Sequence, residues 1–357
     1  MQAMWPELKG GIKDMNNLHA STAGIQLDIA KGWKPSLYLS NMSMAFFQQE
    51  GFHFAKNIFP ICPVSFSTGQ YYIFNKEELA TDQVQKKPAY GKVAPAVFSH
   101  TEDSYTCSVD QFIIGIDQIA ALNYQRSRVP GSIDPKRSKV RIATEQMNLH
   151  LDRLFAEKFF KDTSWKNVKE GSDSADGGSK FMYFDDASAD IIGLFDDYKR
   201  DILLGGLRMP NKLILGYDAF VAMKKHPQFL ERVTGSGSTP NPALVNEQVI
   251  SAVLGIPTVK VIYAVQNKAR MGQAADIQFA CDSKSALLSY APDSPAIDEP
   301  SAGYIFTWDM LGNGQWIATD QFEGEPGTHS EFIEALLSTD MHKTCDDLAI
   351  FLKGCVK

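Results

Sequence analysis

An α+β fold is what this sequence predicts, and three observations carry the prediction. Residues 141 to 160 hold a single helical stripe of apolar side chains. Residues 181 to 299 alternate helical and strand patterns. Residues 66 to 104 hold two strand signals separated by a long stretch that cannot build a core of its own.

The helix is the clearest element. Met147, Leu151, Phe155 and Phe159 recur at i, i+4 steps with Leu154 beside them, which makes one apolar face on a helix roughly 30 Å long. The basic run before it, "DPKRSKVR" at 134 to 141, reads as a solvated lead-in. His150 lies next to the stripe and reads as a structural or exposed histidine. "KEGSDSADGGSK", residues 169 to 180, has the composition of a loop.

The alternating region follows. Ile191, Leu194, Phe195, Tyr198 and Ile202 form a second stripe, with Ser188 as N-cap and Gly205-Gly206 as stop. Leu213-Ile214-Leu215 is a short apolar strand. "NEQVISAVLGIP" is a helix capped by Asn246 and ended by Gly255 and Pro257. "TVKVIYAV", "IQFAC" and "ALLSYAP" are strands, and "CDDLAIFLKGCVK" returns to the same region. In "GYIFTWDMLGNGQWIATDQFEG", two aromatic-rich strands flank Gly312-Asn313-Gly314, the residues of a tight hairpin turn.

The ribbon is the anomaly. Tyr71-Tyr72-Ile73-Phe74 opens it, and alternation at Tyr105, Cys107 and Val109 closes it. The residues between are rich in Lys, Gln, Pro, Ala and Gly. Loops beyond about 12–15 residues are uncommon in compact domains, and a two-stranded ribbon is marginal in water unless something packs on it. A partner, another copy of the chain, is expected to supply that packing. Residues 1 to about 35 are polar and weakly periodic, as in a segment ordered only by lying on a neighbour.

Composition narrows the function. The chain has 357 residues, 44% hydrophobic and 22% charged, an ordinary globular sequence long enough for more than one folding unit. A formal net charge of -7 argues against a dedicated nucleic-acid binder. Cys62, Cys107, Cys281, Cys345 and Cys355 are dispersed without zinc spacing, which fits free thiols in a reducing compartment. The N-terminus has no apolar signal-peptide core, and no window is long and apolar enough to span a membrane.

The best enzyme-like stretch is "KLILGYDAFVAMKKHPQFLERV" at 212 to 233, where Asp218 follows a strand and His226 is the obvious base. Each of its polar residues also has a structural task. Asp218 can cap a helix starting near Ala219. Lys224, Lys225 and His226 suit the helix C-terminus. Pro227 ends that helix and opens a short one carrying Phe229, Leu230 and Val233. "TGSGSTPNP" at 234 to 242 lacks the context of a dinucleotide fingerprint, and His329 with Glu331 lacks a further clustered metal ligand. No catalytic residue, metal site or cofactor is expected.

The order of these elements resembles the major capsid protein of tailed double-stranded-DNA bacteriophages, a fold also used by encapsulin shells. The phrases that carry the resemblance are "FAKNIFPICPVSFSTGQYYIFNKEEL", "YTCSVDQFIIGIDQIAALNYQ", "MPNKLILGYDAFVAMKKHPQFLERV", "VISAVLGIPTVKVIYAVQNKA", "ALLSYAPDSPAIDEPSAGYIFTWDM" and "DLAIFLKGCV", spread over residues 45 to 357. The resemblance implies an N-terminal arm at 1–45 and an extended loop at 66–104. It implies a peripheral domain at 46–65, 105–180 and 300–335, with a spine helix at 141–160, and an axial domain at 181–299 and 336–357. It implies inter-subunit contacts through Tyr71, Tyr72, Phe74, Lys86, Lys87 and Tyr90 on the loop, and through Leu311, Gly312, Asn313 and Gly314 at the hairpin tip. The implied partners are copies of the chain in hexamers and pentamers, a separate scaffolding protein, a portal, decoration proteins and packaged double-stranded DNA, with no membrane. The implied place is the virion, after assembly in the host cytoplasm. Some such phages crosslink subunits through lysines; Lys76, Lys86, Lys87 and Lys92 lie on the loop, without a motif that transfers the role. The alternatives are an encapsulin-type compartment and a cytosolic α/β enzyme using Asp218 or His226.

Overall fold

The apolar stripe predicted for 141–160 is the inner face of a longer helix. The computed structural model of the chain describes residues 51–119, 122, 135–235, 245–270, 272–295, 299–309 and 318–357. In it, helix α2 spans Pro135–Lys158, after a short helix α1 at Lys76–Ala80. Residues 135–141 of the run read as a basic lead-in therefore lie within α2, while Asp134 lies outside the described residues, and Pro135 takes the first helical position described, where its missing N–H costs nothing. Ala143, Met147, Leu151, Phe155 and Phe159 are buried as the stripe requires. Phe155 packs edge-on against Phe54 and, with Phe159, against Phe59.

Two sheets carry the rest of the core among the described residues. The first holds β1 (Ile61–Val64), β4 (Ser108–Asp117), β12 (Gly303–Trp308), β13 (Ala318–Glu323) and the long β14 (Ser330–Lys343). The second runs β6 (Lys180–Met182), β5 (Val168–Ser172), β15 (Ala349–Lys353), β11 (Ala286–Ser289), β7 (Lys212–Leu215), β8 (Thr258–Val261). β7, β11 and most of β15 are buried on both faces, which is why their sequences read as unbroken apolar runs. Helices α3 (Ile191–Gly206), α4 (Tyr217–Lys225), α5 (Pro227–Gly235) and α6 (Glu247–Leu254) accompany this sheet. One continuous buried cluster links α2, both sheets and these helices.

Local signals held where the partners are local. Asn246 caps α6 by accepting from Val249 N at 3.0 Å, and Gly255 ends it with φ 64°. His226 leaves α4 in an extended conformation, as the following proline demands. Three expectations are corrected. The N-cap of α3 is Asp190, whose carboxylate accepts from Gly193 N at 3.0 Å, because Ser188 spends its hydroxyl on Asp186. That helix runs through Gly205 and Gly206 and ends on Leu207, in the left-handed region at φ 58°. The N-cap of α4 is Gly216, with Asp218 in the first turn. The carbonyl of Ser283 accepts from both Asp218 N and Ala219 N, so the orphan donors need no side-chain cap.

The expected hairpin is also corrected. β12 and β13 do not pair with each other; both run antiparallel to β14, at residues 339–343 and 331–336 respectively. Two strands antiparallel to a third run in the same direction, which a tight hairpin turn cannot give. Gly312-Asn313-Gly314 lies outside the described residues, as do Leu311 and the arm at 1–45. "TVKVIYAV" forms β8 and then β9 (Val265–Asn267), which pairs with β10 (Ile277–Phe279).

Candidate functional site

The enzyme-like pair fails on geometry. Asp218 and His226 sit at opposite ends of α4, about 12 Å apart along the axis. His226 is 3% exposed, and both ring nitrogens are used: Nε2 donates to the Asp186 carbonyl at 3.0 Å, and Nδ1 accepts from Gln228 N. Asp218 accepts from the Ser283 hydroxyl. Among the described residues no group of three or more His, Cys, Asp or Glu is placed to hold a metal ion. Two open polar clefts, of about 310 Å³ beside Asp190 and Arg232 and about 250 Å³ beside His53 and Arg141, bring no nucleophile to a base.

The ribbon is the feature that the core does not explain. β2 (Thr68–Phe74) and β3 (His100–Thr106) pair antiparallel from Thr68↔Thr106 to Phe74↔His100. α1 follows β2, capped by Asn75. From Thr81 to Ser99 the chain has no regular element, and nearly every residue is exposed.

The base of the ribbon does not wait for a partner, which corrects the expectation that another copy supplies all its packing. Tyr105 stacks on Phe306 of β12 with ring centroids 4.6 Å apart, and Tyr71 packs on the same ring at 5.6 Å. The Tyr71 hydroxyl donates to Asp103 Oδ2 at 2.8 Å, and His342 Nε2 lies 3.0 Å from the same oxygen. Thr106 N donates to Asp340 of β14. Burial works to raise the Asp103 pKa, but hydrogen bonds from His342, Tyr71 and Ser104 N outweigh it and hold the carboxyl below its ordinary value. Burial, with Asp103 nearby, pushes the Tyr71 phenol up. A second anchor lies at α1, where Lys76 pairs with Asp347 and donates to the Gly205 carbonyl at the end of α3.

The predicted contact residues therefore divide. Tyr71 belongs to the base. Tyr72 is exposed and meets His100 edge-on. The backbone of Phe74 closes the ladder opposite His100. Lys86, Lys87 and Tyr90 are exposed on the tip, with Val84 and Val97. The sequence reading missed Phe306, His342, Asp340 and Asp103. The aromatic alternation at Tyr71 and Tyr105 was the available signal, but nothing local says which surface receives it.

No protein-family model matches the chain, and no curated protein matches its sequence. Solved structures do match. A phage-related protein from Bordetella bronchiseptica superposes with TM-score 0.63 at 17% identity, over 86% of this chain and 94% of that one. The capsid of cyanophage P-SCSP1u superposes with TM-score 0.52 at 11% identity, over 87% and 89%. The chain thus has the fold of the phage major capsid proteins. At these identities the likeness defines the fold.

Proposed function

We propose that this chain is the shell-forming subunit of a tailed phage head, a major capsid protein that encloses double-stranded DNA. The observation that carries the reading is the ribbon: its base is fixed on the chain's own sheet, while its tip exposes Val84, Tyr90 and Val97 with nothing packed on them. Exposed apolar side chains on a coreless projection have a use when a neighbouring subunit covers them. The mechanism is association. Similar contacts repeated by symmetry close a shell, and each subunit gains stability from its neighbours. The match in fold to a phage capsid over most of the chain supports this reading.

The ribbon corresponds in this reading to the extended loop, α2 to the spine helix, the five-stranded sheet to the peripheral domain and the six-stranded sheet to the axial domain. In this reading the axial domain is drawn from before Val168, since β5 pairs with β15 in the second sheet, and again after Lys343, since all of β14 belongs to the first, in place of the bounds at 180 and 335. Residues 1–45 serve as the arm. Scaffolding, portal and decoration proteins are the expected partners. No helix among the described residues is long and apolar enough to cross a membrane.

The test replaces residues 81–98 with a short Gly/Ser linker and examines both proteins by negative-stain microscopy. The unaltered chain is expected to give closed shells, and the variant a folded subunit that gives none. Normal shells from the variant would sink the assignment of the ribbon. DNA inside shells recovered from phage lysates distinguishes a phage head from a compartment that holds a cargo protein.

A further inference from the structure

We propose that His53 is a proton-operated clasp: doubly protonated, it fastens residues 51–55 to helix α2, and the loss of one proton releases them. The inference goes beyond the shell reading and does not depend on it. The clasp stands at a junction. Phe52 packs on Tyr263 with ring centroids 5.4 Å apart, and the Tyr263 hydroxyl donates to Glu247 of α6. Phe54 and Phe59 pack on Phe155 of α2, and the Ile58 carbonyl accepts from Lys212 Nζ of β7 at 2.8 Å. This short segment thus ties α2 to the second sheet just before it enters the first sheet as β1. Everything before residue 51 joins the frame through it.

The geometry fixes the charge of the ring. Nδ1 lies 2.7 Å from Asp152 Oδ2, and Nε2 lies 3.1 Å from Glu145 Oε1. Ionised carboxylates only accept, so both bonds form only when each ring nitrogen carries a proton. The other oxygen of Asp152 accepts from Phe54 N at 3.1 Å and Ala55 N at 3.0 Å, and the residue is 1% exposed. The imidazolium is therefore the counter-charge of a buried carboxylate that also holds the backbone of the segment. Losing a proton turns a nitrogen lone pair toward a carboxylate and leaves Asp152 with a neutral partner. Charge-assisted hydrogen bonds are about twice as strong as neutral ones, and a buried charge stripped of its partner is costly. The neighbours come from three sides. Asp152, Glu145 and Arg141 stand on α2, and Lys56 on the segment itself. Cys281 lies near Asp152 with its thiol pushed well up by burial, and Glu247 is engaged by Tyr263. Lys56 and Arg141 oppose a second proton on the ring, and the two carboxylates favour it. The carboxylates win: the Asp152 bond, against burial and with Glu145 adding, holds His53 above its ordinary value. The clasp is thus closed below the ordinary histidine pKa and opens as pH rises through the higher folded one. The opening stays local, because Phe54, Ile58 and Phe59 remain buried in the core.

The test uses the full chain and hydrogen exchange by mass spectrometry from about pH 6 to pH 9, with amide protection corrected for the intrinsic rate at each pH. Exchange at the His53 ring carbon reports the titration of the ring, and amides 53–57 report the segment. In the unaltered chain the protection of these amides is expected to fall about tenfold over this range, with the midpoint at the ring's own titration, while β7, β11 and β15 keep theirs. Glu145→Gln removes one carboxylate and is expected to move both midpoints together toward lower pH. His53→Gln is expected to give low protection that does not vary with pH. A flat profile in the unaltered chain overturns the proposal. So does a Glu145→Gln variant whose ring midpoint moves while its amide midpoint stays, or a loss shared equally by β7, β11 and β15. Should His53→Gln fail to fold, the Glu145→Gln comparison alone decides.

Discussion

Removing the Asp103 carboxylate tests whether the ribbon's orientation is set within the subunit. In Asp103→Ala the Tyr71 hydroxyl and His342 Nε2 both lose the oxygen that they share at 2.8 and 3.0 Å. Hydrogen bonds to a charged group contribute about 1.5–3 kcal/mol each when well desolvated. The Asp103 side chain is 40% exposed, so solvent screening reduces the pair to about 1–2 kcal/mol in total. That energy belongs to a local equilibrium, because the ribbon is two-stranded and is held at its base by this network and the Phe306 stack. The expected result is a loss of about 5- to 30-fold in hydrogen-exchange protection for β2 and β3 amides. Protection in β7, β11 and β15 stays unchanged. The sign with pH follows. A carboxyl held below its ordinary value contributes above that value, and the contribution is lost as pH falls through the folded pKa, so the wild-type ribbon loosens below about pH 4 and the variant's pH response is flat there. Unchanged ribbon protection in Asp103→Ala, or an equal loss throughout the core, would refute the reasoning.

Three further outcomes concern the frame. The hydrogen bond to buried Asp152, with Glu145 adding, holds His53 above its ordinary pKa despite burial. A raised pKa gives stability that is full below about pH 6.5 and lost as pH rises through the folded value, so His53→Gln should remove about 1–2 kcal/mol at pH 6 and less at pH 9 in urea titrations. Asp152 also accepts from Phe54 N and Ala55 N and is 1% exposed, so Asp152→Ala should cost about 3–5 kcal/mol by denaturant midpoint. A Cβ on Gly171 would lie 1.9 Å from the Gly354 carbonyl oxygen, so Gly171→Ala should cost about 3 kcal/mol or more and expose the C-terminal strand to proteolysis.

What the sequence disclosed and what it hid divide by distance along the chain. Asn246, Gly255 and Pro227 act on neighbours within a few residues, so their roles follow from the order of residues alone. Asp218 looked like a cap because the donors it was to satisfy are local, yet the acceptor that meets them is Ser283, 65 residues on. The glycines at 312 and 314 look like a hairpin, but the strands beside them answer to β14. The ribbon was legible as a projection without a core, because about thirty polar and small residues cannot hide. Its floor was not legible, since Phe306, Asp340 and His342 all lie far along the chain from Tyr71 and Asp103, His342 by 239 residues from Asp103.

The alternation in β14 shows how one strand serves both fold and ribbon. Ile333, Ala335, Leu337, Thr339 and Met341 are buried on one face. The other parity carries Phe332, Glu334, Leu336, Asp340 and His342, and its last two meet the ribbon base. Because side chains alternate with period two, a slip of one residue would drive Asp340 and His342 into the core and expel Leu337 and Met341. The burial that fixes the register of β14 therefore also fixes where the ribbon's polar anchors stand. A ribbon rooted in that register keeps its aim for as long as the core is folded, while its uncovered tip contributes nothing to that core. Under the shell reading proposed above, folding and association can then fail separately, which is what lets a ribbon variant test that reading without unfolding the core.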